Sequence, residues 1–127
     1  MPTALERAKQ EYLEQQVNAA TPERLVTMLY DRLLVDVERA AAAQAGGDTA
    51  SAGTYLTHAQ AIIAELSGSL DDTWDGSDGL RALYTYITGR LIVANVAHDA
   101  DATRECRDLI APLRDAWHAA ADAVSPV

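Results

Sequence analysis

Three features that the sequence lacks narrow the classes of protein it can encode. No stretch of the 127 residues reaches the ~18 uninterrupted apolar residues of a membrane-spanning helix, and the charged start MPTALERAKQEYLEQQ is unlike a signal peptide. A single cysteine, Cys106, excludes an internal disulfide. With 10 basic against 19 acidic residues, the chain also lacks the clustered Lys and Arg that neutralise phosphates. We therefore expect one cytoplasmic domain with no membrane insertion and no nucleic-acid partner.

The motifs of common enzyme and metal sites are also missing. No Glu is followed three residues later by His, as di-iron helical bundles require. The acidic loop DDTWDGSDG has Ala82 where a calcium loop starting at Asp71 needs a Glu. His58, His98 and His118 lie in no catalytic or ligand motif, so they are interpreted as facing solvent or a partner. We predict no enzyme activity, no metal site and no cofactor.

What the sequence does contain is helical periodicity. Apolar residues recur every three or four positions over four stretches, and no strand pattern opposes them. The first predicted helix has Thr21 as its cap, Pro22 in its first turn and glycines 46–47 at its end. Ser77 is expected to cap the third helix, and Asp101 to open the fourth.

These helices predict an all-α fold. Because the connections are short, we expect an antiparallel up-and-down four-helix bundle over residues 21–127. It is preceded by an N-terminal arm over residues 1–20, which we expect to be mobile or to form a short helix outside the bundle. Cys106 and Trp117 belong to the apolar stripe of the last helix and are predicted to be buried, while Pro112 should kink that helix. Other residues assigned to the core are Leu25, Leu29, Leu33, Ile63, Leu66, Ile87, Leu91 and Leu113.

The first and third helices are apolar on more than one flank. Beside the stripe of core residues, the first helix carries Val26, Tyr30 and Leu34, and the third carries a second stripe around Gly89. Such breadth means that a helix either buries two flanks in its own fold or buries one flank against something else.

The order and spacing of several segments resemble the FliS family of flagellar export chaperones, from about Tyr12 to Trp117. The matching segments are YLEQQVNAATPERLVTMLYDRLL, AQAIIAELSGSL, LYTYITGRLIVAN and LRDAW. The matched positions are Tyr12, Thr21, Pro22, Leu29, Tyr30, Asp31, Leu83, Tyr84, Arg90, Leu91, Ala116 and Trp117. Pro112 and the acidic loop around Trp74 depart from the family pattern.

The resemblance implies a cytoplasmic export chaperone. Its partner would be the C-terminal segment of flagellin, which it would keep from polymerising before delivery to the flagellar type III export apparatus, with the export gate as a second candidate partner. The surplus apolar flank would then be the docking surface. On the arm, the resemblance implies that Tyr12, Leu13 and Val17 cover this surface when no client is bound. The other predicted partner-binding residues are Tyr55, Tyr86, Ile92 and Val93.

Two alternatives stay open at this point. In a structural homo-oligomer without a flagellin client, the surplus apolar flanks would pair with a second copy. A metal-dependent enzyme is the other alternative, although the ligand motifs that it needs are missing.

Overall fold

Four long helices account for most of the structure. The computed structural model describes residues 3–8 and 22–124. The helices are α1 (Pro22–Ala45), α2 (Thr49–Gly68), α3 (Ser77–Val96) and α4 (Ala100–Val124). Residues 4–8 add a short helical segment, and no strand occurs within the two described ranges. None of the helices found there is long and apolar enough to cross a membrane.

The four helices form the predicted bundle. Each packs against its neighbour in the chain, and α4 packs back on α1, so the arrangement closes around one core. Residues 46–48 and 97–99 make the short connections, and residues 69–76 make the longer one. Such short links join antiparallel helices, which confirms the up-and-down bundle. Of the predicted arm only residues 3–8 are described, and its mobility stays a prediction.

The core follows the predicted stripes near the middle of the bundle. Of the residues assigned to it, those that are buried are Leu33, Ile63, Leu66, Ile87 and Leu91. Leu29 and Leu113 are partly buried and pack against this core, as assigned, whereas Leu25 is partly buried and is not part of it. Leu25 and Leu29 line one open cavity, and Leu113 lines another.

The ends of α1 and α2 agree with the sequence where they are described. α1 begins at Pro22 and ends at Ala45, and Gly47 has the positive φ of 75° that closes a helix. Thr21, its predicted cap, lies outside the described residues. α2 is capped by Asp48, whose carboxylate accepts a hydrogen bond from the backbone N–H of Ser51 at 3.1 Å.

The predicted cap of α3 was wrong, and α4 begins one residue before the Asp101 expected to open it. Ser77 lies in the first turn of α3, and its buried hydroxyl donates to the carbonyl of Asp72 at 3.5 Å. α4 begins at Ala100, and its cap is Asp99, whose carboxylate accepts from the N–H groups of Asp101 and Ala102 at 3.0 and 3.2 Å. Asp99 takes this place because a cap precedes the first helical residue, whereas Asp101 already belongs to the first turn.

Two residues of α4 bear on its predicted shape and packing. α4 continues through Pro112, whose side chain is exposed. The kink expected at this residue stays a prediction. Cys106 is fully buried, as expected, and burial raises the pKa of its thiol to about 12. A thiol with so high a pKa is almost wholly protonated at neutral pH and is a poor nucleophile.

Candidate partner-binding surfaces

One flank of α3 is exposed and apolar. We define the α3 face by the side chains of Tyr86, Ile92, Val93 and Val96, which are 49%, 45%, 38% and 76% exposed. They make up four of the seven large apolar side chains that are exposed in the described part of the chain. With 3.6 residues per turn they cover a stripe roughly 120° wide. Gly89 lies within this stripe and has open space above it.

The opposite flank of α3 belongs to the core. Tyr84, Ile87 and Leu91 are at most 2% exposed, so the two apolar flanks predicted for this helix have different environments. The bundle covers one flank, and none of its described residues covers the other. An exposed contiguous apolar patch of this kind is typical of an interaction surface.

The hydroxyl of Tyr86, on the α3 face, is bonded to a side chain of α4. Its hydroxyl donates to one oxygen of Glu105 at 2.6 Å, and the other oxygen accepts from Arg90 Nε at 2.6 Å. The hydrogen bonds from Tyr86 and Arg90 lower the pKa of Glu105, and the bond to Glu105 raises the pKa of Tyr86. Glu105 therefore stays ionised and keeps Tyr86 as its donor.

The structure separates Tyr55 from the rest of the predicted site. Its partly buried ring faces α1, where the guanidinium carbon of Arg39 lies 5.9 Å from the ring centroid. Tyr86, Ile92 and Val93 share the α3 face instead. The arm residues of the predicted site lie outside the described residues, and they are Tyr12, Leu13 and Val17.

A second surface lies at the end of the bundle where α1 begins and α4 ends. Trp117 stacks on Tyr30 with ring centroids 6.4 Å apart, and Trp74 meets Trp117 edge-on at 6.5 Å. Beneath them the hydroxyls of Tyr30 and Tyr84 share a 2.5 Å hydrogen bond, and burial raises the pKa of both phenols. Trp117 is partly buried: it packs against the core and stacks on Tyr30 of this pair, but it does not reach the full burial predicted for it.

Three adjoining cavities open at this aromatic end. The middle one, of about 290 Å³, lies between Trp74, Trp117 and the tip of α2. A cavity of about 520 Å³ on the α1–α2 side shares Val26 and Ser69 with it. On the α3–α4 side, a cavity of about 310 Å³ shares both tryptophans with it. Together they form a groove that runs across the end of the bundle.

Two of the three histidines take part in pairs that sequence patterns could not indicate. His58 Nδ1 bonds the fully buried carboxylate of Asp36, and Arg32 Nε lies 3.5 Å from the other oxygen. His118 Nε2 lies 2.7 Å from Asp31, which also accepts from Arg114. Both side chains are still open to solvent, at 49% for His58 and 36% for His118, so their interpretation as solvent-facing is not overturned, although each also has a partner within the bundle.

The acidic loop between α2 and α3 is organised by its own side chains. One carboxylate oxygen of Asp71 accepts from the N–H and the hydroxyl of Thr73 at 2.9 and 2.7 Å, and Asp72 pairs with Arg81. Those backbone and side-chain hydrogen bonds lower the pKa of Asp71. Within residues 3–8 and 22–124, no three His, Cys, Asp or Glu side chains come together as a metal site would need.

Comparison with known proteins places this fold among flagellar proteins. The model of the family described as flagellar protein FliS matches residues 4–124. The chain is 35% identical over 106 residues to the flagellar secretion chaperone FliS of Bacillus subtilis, covering 84% of this chain and 80% of that protein. It is 34% identical over 108 residues to the flagellar secretion chaperone FliS of Escherichia coli, covering 83% and 79%.

A solved structure supports the same architecture. The crystal structure of a flagellar chaperone from bacteria superposes with a TM-score of 0.74, covering 92% of this chain and 97% of the other. At 18% identity this likeness concerns the fold alone. The match of the family model over nearly the whole chain and the identity to curated relatives together show that the chain belongs to the FliS family of flagellar secretion chaperones.

Proposed function

We propose that this protein binds the C-terminal segment of flagellin, prevents its premature polymerisation and delivers it to the flagellar type III export apparatus. The observation that carries the proposal is the exposed α3 face. Its side chains are large and apolar, and no described residue of the bundle covers them. Membership in a family whose curated relatives are flagellar secretion chaperones supports the same proposal.

The physical chemistry of the α3 face suits an amphipathic helix. An unfolded segment that folds on this surface buries apolar area, and its ordering entropy opposes the gain. α3 carries only three charged residues and the neighbouring α2 only one, so few ions must lose water when a client docks. The hydroxyl of Tyr86 already has its acceptor in Glu105, which lets the ring be covered without leaving an unpaired donor.

Isothermal titration calorimetry of the purified chain with a peptide of the flagellin C-terminal segment tests the proposal. We expect a one-to-one complex whose binding enthalpy becomes more favourable as temperature rises, since apolar burial gives a negative heat-capacity change. Absence of binding heat at every temperature, or an enthalpy that does not change with temperature, would contradict it.

A matched pair of charge variants locates the docking surface. Ile92→Glu places a carboxylate on the α3 face, whereas Ala119→Glu adds the same charge to an exposed position near the end of α4. We expect Ile92→Glu to weaken client binding by about tenfold or more, because burying an unpaired carboxylate costs more than 1.4 kcal/mol. Ala119→Glu should bind as the parent does. Equal affinities for both variants would place the client elsewhere.

The arm is the third element of the proposal. If Tyr12, Leu13 and Val17 cover the docking surface in the free protein, client affinity is lowered by the fraction of covered molecules. Deletion of residues 1–17 should then leave client binding similar or tighter and increase self-association of the free protein in sedimentation experiments. Weaker binding would assign the arm to direct client contact. Unchanged affinity and unchanged self-association would remove the arm from the proposal.

The exposed α3 face also supports a second candidate function. The same apolar side chains could pair with those of a second copy in a structural homo-oligomer. Light scattering at micromolar concentration separates the two: a monomer removes the homo-oligomer, and a stable dimer that Ile92→Glu dissociates would favour it.

A further inference from the structure

The middle cavity at the aromatic end combines two kinds of lining, aromatic rings and carboxylates. Its walls include the rings of Trp74, Trp117 and Tyr84, and two carboxylate residues, Glu23 and Asp71, also line it. None of the described residues that line it is Lys or Arg. Hereafter this space of about 290 Å³ is the tryptophan cavity.

Aromatic rings and carboxylates together favour a cation. The face of an indole attracts a positive charge, and a carboxylate adds a charge-assisted hydrogen bond. A purely apolar side chain would contact the rings but would also take water from Glu23 and Asp71 without replacing its hydrogen bonds. Among cationic side chains, the planar guanidinium of arginine stacks on aromatic rings and pairs with carboxylates through several N–H groups at once.

The parts that build the tryptophan cavity are held in place independently of any ligand. Thr73 donates two hydrogen bonds to one oxygen of Asp71 and so orients this carboxylate. The ring of Trp74 lies so close to Gly76 that an added Cβ would come within 2.7 Å of it. Glycine at this position therefore lets the indole lie against the backbone and face Trp117.

The neighbouring cavities show which side chains flank the tryptophan cavity. On one side lie Leu25, Val26, Met28 and Leu29, and on the other lie Leu80, Leu113 and the alanines of the last turns of α4. Both neighbours are lined mainly by apolar side chains. A segment that crosses the groove would place apolar residues on both sides of the residue that enters the tryptophan cavity.

We propose that the tryptophan cavity binds an arginine side chain of a partner protein, presented by a segment with large apolar residues on both sides of that arginine. This surface is separate from the α3 face, and the proposal does not depend on flagellin being the partner.

Small probes test the chemistry directly. The full chain is titrated with acetyl-arginine amide, with the neutral analogue acetyl-citrulline amide and with acetyl-leucine amide, and the indole N–H signals of its two tryptophans, Trp74 and Trp117, are followed by NMR. A ligand of this size binds roughly in the millimolar range. We expect both indole signals to shift with the arginine probe, at an affinity about tenfold higher than for citrulline. Equal affinity for citrulline, tighter binding of leucine, or no shift with arginine would overturn the proposal.

Two matched pairs of variants locate the site. Glu23→Gln and Glu38→Gln remove the same charge from α1, but only Glu23 lines the cavity. Gly76→Ala would push Trp74 aside, whereas Gly79→Ala has open space around its new methyl group. We expect Glu23→Gln and Gly76→Ala each to weaken the arginine probe about fivefold, with unchanged circular dichroism. Equal effects within each pair would show that only net charge or helix stability matters, and would overturn the site.

Failure of this proposal can be told from failure of the proposed function. Ile92→Glu changes the α3 face and should leave the arginine probe unaffected, while Glu23→Gln should leave the fold intact. Loss of probe binding in Ile92→Glu would show that the two surfaces are one, which would overturn the separate site.

Discussion

The two sides of the bundle stabilise their surfaces in different ways. α1 and α4 carry seven and eight charged residues, whereas α2 and α3 carry one and three. Across the α1–α4 contact, Asp31 accepts from Arg114 and pairs with His118. On α3, four of the exposed side chains are large and apolar instead. The difference teaches that charge keeps one side of this bundle hydrated while the other side stays available for apolar contact.

The largest expected effect separates the inner and outer flanks of α3. Ile87 is fully buried and Ile92 is 45% exposed on the same helix, so truncating each to Ala compares the two flanks with the same chemistry. Ile87→Ala should lower the free energy of unfolding by about 2–5 kcal/mol, and Ile92→Ala by less than about 0.5 kcal/mol. Urea unfolding followed by circular dichroism measures both. Similar losses for the two variants would mean that the α3 face is covered in the free protein.

A smaller loss is expected at the aromatic end. Trp117 is partly buried between Tyr30 and Trp74, so Trp117→Ala should cost about 1.5–3 kcal/mol, below the range for a fully buried tryptophan. Trp74→Ala, in an exposed loop position, is the matched control and should cost less than about 1 kcal/mol. Thermal melting of both variants checks this order, and the reverse order would mean that the loop, and not α4, closes this end.

The buried carboxylate of Asp36 on α1 should be sensitive to loss of its hydrogen-bond partner on α2. His58→Ala removes the hydrogen bond to the buried carboxylate of Asp36 and should cost about 1–2 kcal/mol. His98→Asn is a suitable control, because His98 is exposed and has a φ of 51°, which Asn tolerates. Equal unfolding midpoints for the two variants in urea would show that water replaces His58 without cost.

The smallest expected effect is the loss of stability at acidic pH that follows from protonation of Asp31. Partial burial acts to raise the pKa of Asp31, but the hydrogen bonds from His118 and Arg114 outweigh it and hold the pKa below its ordinary value. A carboxylate with a lowered pKa stabilises the fold above about pH 4, and this contribution is lost as the pH falls through the lowered value. Because the Asp31 side chain is 43% exposed, the contribution should stay below about 1 kcal/mol.

Asp31→Asn measures that contribution. Its unfolding free energy should fall short of the parent's at pH 7 and approach it at pH 3, and added salt should reduce the difference at pH 7. A difference that does not change with pH would mean that Asp31 acts through packing and not through its charge.

Local patterns predicted the helices well because each helix is specified by its own residues. Pro22 and Gly47 mark the ends of α1, and the spacing of Ile87 and Leu91 identifies the buried flank of α3. The cap of α4 was missed because Asp99 and Asp101 are the same residue type two positions apart. Only the hydrogen bonds made by each carboxylate distinguish the cap from the first turn.

Sequence periodicity could not predict how deeply a side chain is buried or which residues pair across long stretches of the sequence. Leu25 and Trp117 lie on apolar stripes, but a stripe gives a direction and does not say where along the bundle the packing opens. The pair between His118 and Asp31 joins residues 87 positions apart, which no local motif records. For the candidate site, the exposure of Tyr86, Ile92 and Val93 agrees with their lying outside the main stripe, although their binding role stays a prediction.

The buried position of Cys106 makes its rate of reaction with a thiol reagent a measure of how often the bundle opens. It is the only cysteine of the chain and has no exposed surface. Its sulfur lies 3.9 Å from the carbonyl oxygen of Ile87 on the neighbouring helix α3. A thiol reagent can reach it only while the helices packed around it, α3 among them, are transiently apart, and a thiol whose pKa is about 12 reacts slowly until that moment. The labelling rate in native conditions therefore reports how often the helices around Cys106, including the helix that carries the α3 face, separate from one another.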